Sequence, residues 1–289
     1  MPGLGDLPPP EEGATEGYHP DPLGGEYPRW WDGTQWTNRV GPKPTPPLAP
    51  GESELVPRRP RKLGAIFGSA FRLYGRFPLL FLVLAAGVVL PYDLIVRATT
   101  GWGPYTGSHT STEVQIILAF TGWILLAPLV SALHVHAAAD VRQGEDPELG
   151  AVAMRGIRVL PVVVAAAIMS GLGIALGLLA LIVPGVILYF RWFVVAQVAA
   201  IENEGWLEAL RGSRQLTAGR YLDIFLFVLC LGLILLIPTQ AIVLAFGPHN
   251  TGVAAFVLGL ALHIVDASLT ALTTALFYYD LVARRQASG

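Results

Sequence analysis

From residue 77 onward the chain is a succession of long apolar runs. Each is about 20 residues or more, the length a helix needs to cross a hydrocarbon layer roughly 30 Å thick. Candidate spans fall near 77–97, 114–139, 158–182, 184–202, 221–246 and 252–282. Composition agrees: 53% of the 289 residues are hydrophobic, 14% are charged, and the mean hydropathy is +0.54. A water-soluble enzyme of this size needs more charged surface than that. Intrinsic disorder is excluded for most of the chain, and the single cysteine, Cys230, excludes a disulfide-stapled secreted fold. The expected fold class is all-α: a polytopic six-helix transmembrane bundle at 61–285 with amphipathic interfacial helices, preceded by a mostly disordered tail that carries a small β-ribbon.

The tail, residues 1–60, holds 14 of the 23 prolines and 9 of the 21 acidic residues. It cannot bury enough surface to offset its ordering entropy, so an extended segment is expected, with Pro42 to Pro50 as a stiff spacer. It lacks the pattern of a secretory signal, which places the amino terminus in the cytoplasm. Inside it, 17–40 forms a Trp-rich module. Trp30, Trp31 and Trp36 flank Asp32-Gly33, a hairpin signal suited to a type I′ turn. Two readings of the rings stand side by side: they pack on one another across strands, or they present an aromatic face to a proline-rich or peptide partner. The residues Tyr18, Pro20, Asp21, Pro22, Gly24, Arg29, Trp31, Asp32, Gly33, Trp36 and Thr37 resemble a short N-terminal domain common in actinobacterial membrane proteins, which has no settled biochemical role.

Leu63, Ile66, Phe67, Ala70, Phe71 and Tyr74 recur at helical spacing among basic residues, which predicts an interfacial amphipathic helix before the first span. Between spans three and four, Pro184-Gly185 is the expected turn, with a kinked single span as the alternative. Six spans from a cytoplasmic start put Arg58, Arg59, Arg61, Lys62, Arg72, Arg76, Arg142, Arg155, Arg158, Arg211, Arg214, Arg220, Arg284 and Arg285 on the inner side, against Arg97 outside. That bias predicts cytoplasmic termini in a cell membrane, and merging spans three and four would spoil it.

A charged group in lipid is costly enough to suggest function. Arg191 lies in span four, His263 and Asp266 three residues apart in span six, and His136 and Asp140 on one face of span two. Arg191 paired with Asp266 could border a polar cavity for an anionic substrate or lipid headgroup, since a guanidinium matches phosphate or carboxylate. The plainer alternative is a buried ion pair that sets helix register. His263 with Asp266 could relay protons. No spacing requires His136, Asp140 and His263 to bind metal, and no cofactor is expected. Small residues at four-residue intervals, such as Gly173 and Gly177, favour close helix packing. In the loop 201–221, Trp206, Leu207 and Leu210 are expected in the headgroup layer, with Arg211, Arg214 and Arg220 meeting anionic lipid.

The residues Val183-Pro184-Gly185, Arg191-Trp192, Glu202, Glu208-Ala209-Leu210-Arg211, Ser213, Leu216-Thr217 and Gly219, with the ending Thr273-Thr274-Ala275-Leu276, Tyr278-Tyr279-Asp280 and Arg284-Arg285, are similar to the membrane domain attached to some glycerophosphoryl diester phosphodiesterases. Gly212 departs from that pattern, where a basic residue is expected. The resemblance implies a domain that anchors or accompanies an enzyme and carries no catalytic residue. The phosphodiesterase barrel itself is implied to need a His-Arg-Gly start, and none of the six histidines precedes an arginine. The sequence therefore reads first as a non-enzymatic membrane anchor or scaffold whose tail recruits a protein partner. The rival is a transporter or lipid-handling protein that uses the Arg/Asp/His sites. Membrane lipids are the expected partners, self-association is open, and nucleic acid is not expected.

Overall fold

The computed structural model describes residues 7–10, 14–15, 17–23, 29–40, 55–100, 111–247 and 252–288. Of the expected tail, 1–6, 11–13, 16, 24–28 and 41–54 lie outside the described residues, and with them Gly24 of the motif and the spacer at 42–50. The chain divides into two compact units, Met1–Glu52 and Ser53–Gly289.

In the first unit, strands β1 (Gly17–His19), β2 (Arg29–Trp31) and β3 (Trp36–Val40) form an antiparallel sheet in the order β1-β2-β3. The expected type I′ turn is replaced by a four-residue loop, 32–35, between the paired Trp31 and Trp36. Gly33 alone in this loop has a positive φ, +92°. The reason is Asp32, whose Oδ1 accepts from the Thr34 amide, the Thr34 hydroxyl and the Gln35 amide, each at 2.8 Å, an Asx turn that replaces the two-residue hairpin. Trp31 and Trp36 are buried edge-to-face with centroids 5.4 Å apart, and Trp36 Nε1 donates to the Pro8 carbonyl. Arg29 donates through Nε to Asp21 at 2.9 Å, and the Thr37 hydroxyl donates to the Trp30 carbonyl.

The second unit is helical. Its helices are α1 (Leu63–Arg76), α2 (Pro78–Thr100), α3 (Thr112–Thr121), α4 (Ala127–Gln143), α5 (Leu149–Ala180), α6 (Ile182–Arg191), α7 (Val195–Glu202), α8 (Trp206–Thr217), α9 (Tyr221–Phe246) and α10 (Val253–Ser288). Among the described residues, five stretches are long and apolar enough to cross a membrane: Pro78–Thr100, Leu149–Ala180, Ile182–Glu202, Tyr221–Phe246 and Val253–Ala287. The chain is a multi-pass integral membrane protein. The expected span at 114–139 is helical throughout, but a π turn, Gly122–Leu126, separates α3 from α4 and leaves each α segment short.

α10 runs through the bundle and packs on α4, α2, α1, α9 and α8, while α5 packs on α4, α6 and α7. Large apolar side chains such as Leu79, Leu179 and Leu244 face outward, as lipid-facing positions do. Inside, several polar groups pair across helices. The Ser268 hydroxyl donates to the Phe81 carbonyl, His134 Nε2 lies 2.9 Å from the Ser268 oxygen, and Phe81 stacks on the imidazole. This joins α2, α4 and α10 at His134.

The third helix starts earlier than expected, at Leu149: the run Leu149–Ile157 has no proline, and Gly156 sits where Leu133 of α4 packs against it, a Cβ there falling 2.4 Å from the Leu133 side chain. Its end differs as well. The chain turns at Leu181, whose backbone is extended, and not at Pro184-Gly185. Pro184 sits in the first turn of α6, where an amide has no helical partner and proline is tolerated. Gly185 then lies against α5. A Cβ on Gly177 would come 2.9 Å from the Gly185 Cα, and one on Gly185 would come 2.6 Å from the Leu178 backbone nitrogen. The span Ile182–Glu202 is itself interrupted at Trp192–Val194. Residues 55–60, read from sequence as tail, belong to this unit with the Arg61 and Lys62 that follow them. Val56 is buried, the Arg61 amide donates to Asp280 at 2.7 Å, and Arg58 Nη2 donates to the Arg142 carbonyl.

Two outcomes follow from these contacts. Gly185→Ala should lower stability by about 1–3 kcal/mol, the usual scale of overpacking. Gly87→Ala, whose Cβ meets nothing within 4 Å, should be close to neutral. Thermal unfolding of the two variants in detergent distinguishes them. In the small sheet, hydrogen bonds from the Gln35 amide first, then from the Thr34 amide and hydroxyl, hold the Asp32 carboxyl below its ordinary 3.8. A depressed value means that this group stabilises the fold above that pH and stops doing so as pH falls through the lowered value. Indole resonances of Trp31 and Trp36 should therefore shift on acidification below 3.8 in the native protein, and should lose that dependence in Asp32→Asn.

Candidate functional site

The interrupted helix α6–α7 sets the site. Ending α6 at Arg191 leaves carbonyls without intrahelical partners, a cost that lipid cannot relieve. The Arg191 carbonyl is satisfied from α8, by the Ser213 hydroxyl at 3.0 Å and the Thr217 hydroxyl at 3.1 Å. Gly173 gives the Trp192 ring its place, since a Cβ there would fall 2.5 Å from the indole. Tyr189, Trp192, Phe193 and Gln197, on either side of the break and within it, line a partly open cavity of about 1230 Å³ together with residues of α2, α3, α4, α5, α9 and α10.

Most of the wall is apolar, with a small set of buried polar groups. Asp93, on α2, is buried, and its Oδ2 lies 2.7 Å from His263 Nδ1 on α10. Asp266, one turn further along α10, is buried and also lines the cavity. Across from them, Gln197 of α7 donates through Nε2 to the Ser131 hydroxyl of α4 at 2.6 Å. Gln197 is 3% exposed, and its Oε1 has no hydrogen-bond partner among the described residues. The Tyr92 hydroxyl, another lining group, donates to the Leu118 carbonyl at 2.7 Å, next to the π turn where regular helical pairing shifts.

The residues singled out from sequence separate into five places. His263 and Asp266 share the cavity, but the partner of His263 is Asp93. Arg191 does not pair with Asp266. Its Nε donates to the Tyr221 hydroxyl at 3.3 Å, at the head of α9, because the helix ends at Arg191 and turns its side chain toward α9. Arg191 is outside the cavity lining, so the expectation of an anion held by its guanidinium is corrected. Asp140 makes a two-point ion pair with Arg155 of α5, Oδ1 to Nη1 at 2.7 Å and Oδ2 to Nη2 shorter still. His136 is buried beside this pair on α4, with Nε2 unpartnered among the described residues. No three metal-capable side chains converge among the described residues.

The remaining two groups lie elsewhere. Trp31 and Trp36 form the interior of the small sheet and Trp30 is partly buried, so the motif residues hold the module together. Helix α8 buries Ala209, Ser213, Leu216 and Thr217 against the bundle, which leaves Trp206, Leu207, Arg211 and Arg214 exposed. Arg211 pairs with Glu208 and Arg220 with Asp223, each at 3.7 Å.

Asp93, Gln197, Ser131 and Tyr92 escaped the sequence reading. Asp93 carried a usable signal, being an acid inside the first apolar run, the same argument that picked out Asp266. Gln197 is a lone amide between Val195-Ala196 and Val198-Ala199, and uncharged polar groups in spans commonly bridge helices.

Among known proteins, a family model described as a protein of unknown function (DUF2510) matches residues 17–49, the segment of the Trp-rich module. No curated protein and no solved structure matches the chain.

The Asp140–Arg155 pair makes a direct prediction. Removing the guanidinium strands a buried carboxylate, so Arg155→Ala should cost about 1.5–3 kcal/mol. Adding Asp140→Ala to it should return part of that loss, which a double-mutant cycle of detergent unfolding would measure.

Proposed function

We propose that this protein is a non-enzymatic, lipid-handling or transport protein of a cell membrane that accommodates an amphiphilic molecule within its helical bundle. The carrying observation is the cavity of about 1230 Å³, which exceeds the roughly 300–1,000 Å³ of sites for drug-sized ligands. Its apolar walls suit a long hydrocarbon part, and the few convergent polar groups suit a headgroup. An anchor has no use for such a space, because a bundle held by packing alone fills its interior.

The interrupted span fits this reading. Broken helices at membrane depth occur where they border a cavity, and they place backbone and side chains at a bound molecule. The likeness to the membrane domain of glycerophosphoryl diester phosphodiesterases belongs to the same proposal. Arg191, Trp192, Ser213 and Thr217, which carry much of it, are the residues that hold the break in place. Six crossings, with 112–143 as the second, would leave both termini on the cytoplasmic side, with the exposed Arg211 and Arg214 of α8 at anionic headgroups.

Photolabelling tests this proposal. A diazirine-bearing long-chain alcohol in nanodiscs should label peptides from 228–239 and 263–274, and excess unlabelled alcohol should suppress that labelling. Labelling confined to lipid-facing positions such as Leu79 and Leu179, with no saturation, would sink the reading.

A further inference from the structure

The polar part of the cavity allows the headgroup to be specified. We infer that the bound amphiphile carries a protonated amine; the inference rests on the reading of the cavity as a ligand site. The wall presents two carboxylates, Asp93 and Asp266, and one imidazole, His263. Among its described residues there is no lysine or arginine. Summed formal charge is negative whether or not the imidazole is protonated. Charge of one sign in a low-dielectric wall attracts a ligand of the other sign far more strongly than in water.

Hydrogen-bond inventory points the same way. Gln197 Oε1, buried and unpartnered among the described residues, is an acceptor that calls for an N–H or O–H donor. Carboxylate oxygens are acceptors as well. An ammonium brings three donors and no acceptor, whereas a carboxylate or phosphate headgroup brings acceptors to acceptors. Tyr189, Trp192 and Phe193 line the cavity as well, aromatic residues of the kind that bind cations over their rings. One feature opposes this, the amino-terminal turn of α7, which borders the cavity and favours negative charge. A helix end is equivalent to about half an elementary charge, so two carboxylates outweigh it. The one guanidinium of the interrupted span, Arg191, is held away at Tyr221.

Three ligands of equal chain length separate the possibilities: dodecylammonium, dodecan-1-ol and dodecanoate, each at the same mole fraction in phosphatidylcholine nanodiscs, with retention read by native mass spectrometry of the full chain. Dodecylammonium should be retained about tenfold or more above dodecanol, the scale of a hydrogen bond to a charged group, and dodecanoate least. Asp266→Asn should bring dodecylammonium down to the level of dodecanol, and Asp266→Glu should restore the preference. If Asp266→Asn does not fold, the ranking in the native protein decides alone. Equal retention of the three, or a preference for dodecanoate, would overturn the amine assignment and leave the cavity reading standing. Retention of none would overturn both.

Discussion

In the hydrocarbon layer there is no water to take up an unpaired N–H or C=O, so each polar group of this chain must find its partner within the protein. The rest of the second unit follows from that constraint. It makes helices of the long apolar runs, and it makes a helix break expensive unless another element completes it. Ser213 and Thr217 of α8 do so for the Arg191 carbonyl, which is why a short polar helix packs into the bundle at all. The same demand joins α2, α4 and α10 through His134, Ser268 and the Phe81 carbonyl.

Buried side-chain atoms without a partner among the described residues also occur at Tyr74, His136 and Arg142, but the cavity differs from those sites. It gathers Asp93, Asp266, His263 and Gln197 in a space that packing has left open, and one amide oxygen there has no partner among the described residues. The close approaches lie around it and not across it. Gly177 meets Gly185, and Gly173 meets Trp192. Tight packing of α5 against α6 and of the indole against α5 thus frames the opening, which makes the space a feature of the architecture. The Trp-rich module has a different economy. Its motif residues, Asp21, Arg29, Trp31, Asp32 and Trp36, take part in holding a very small sheet together.

What could be read from sequence was set by how local the determining interaction is. The span 221–246 and the helix 63–76 are where periodicity and length put them, because run length and amphipathic spacing are properties of neighbouring residues. Pro184-Gly185 marked the right region for the turn between spans but missed its position, since proline sits in a helix's first turn as readily as it ends one. The interruption at Trp192–Val194 has no glycine or proline to announce it, and the groups that complete it lie 22 and 26 residues away. Asp93 and His263 are 170 residues apart. On α8 the sequence pointed to the outward residues, and Trp206 and Leu207 are exposed; the inward face was not read, because small and hydroxyl-bearing residues such as Ala209 and Ser213, which pack between helices in lipid, leave little hydrophobic periodicity.

The central claim is that the space between α2, α4, α7, α9 and α10 is a ligand site. An experimental density map of the full chain in nanodiscs made from its native membrane lipids tests it most directly. The account predicts an elongated density inside the bundle, with one end within hydrogen-bond distance of Asp266 or Gln197. A bundle in which α9 has closed onto α10 and α4, with Gln197 Oε1 paired to a protein group and no ligand density, would contradict it.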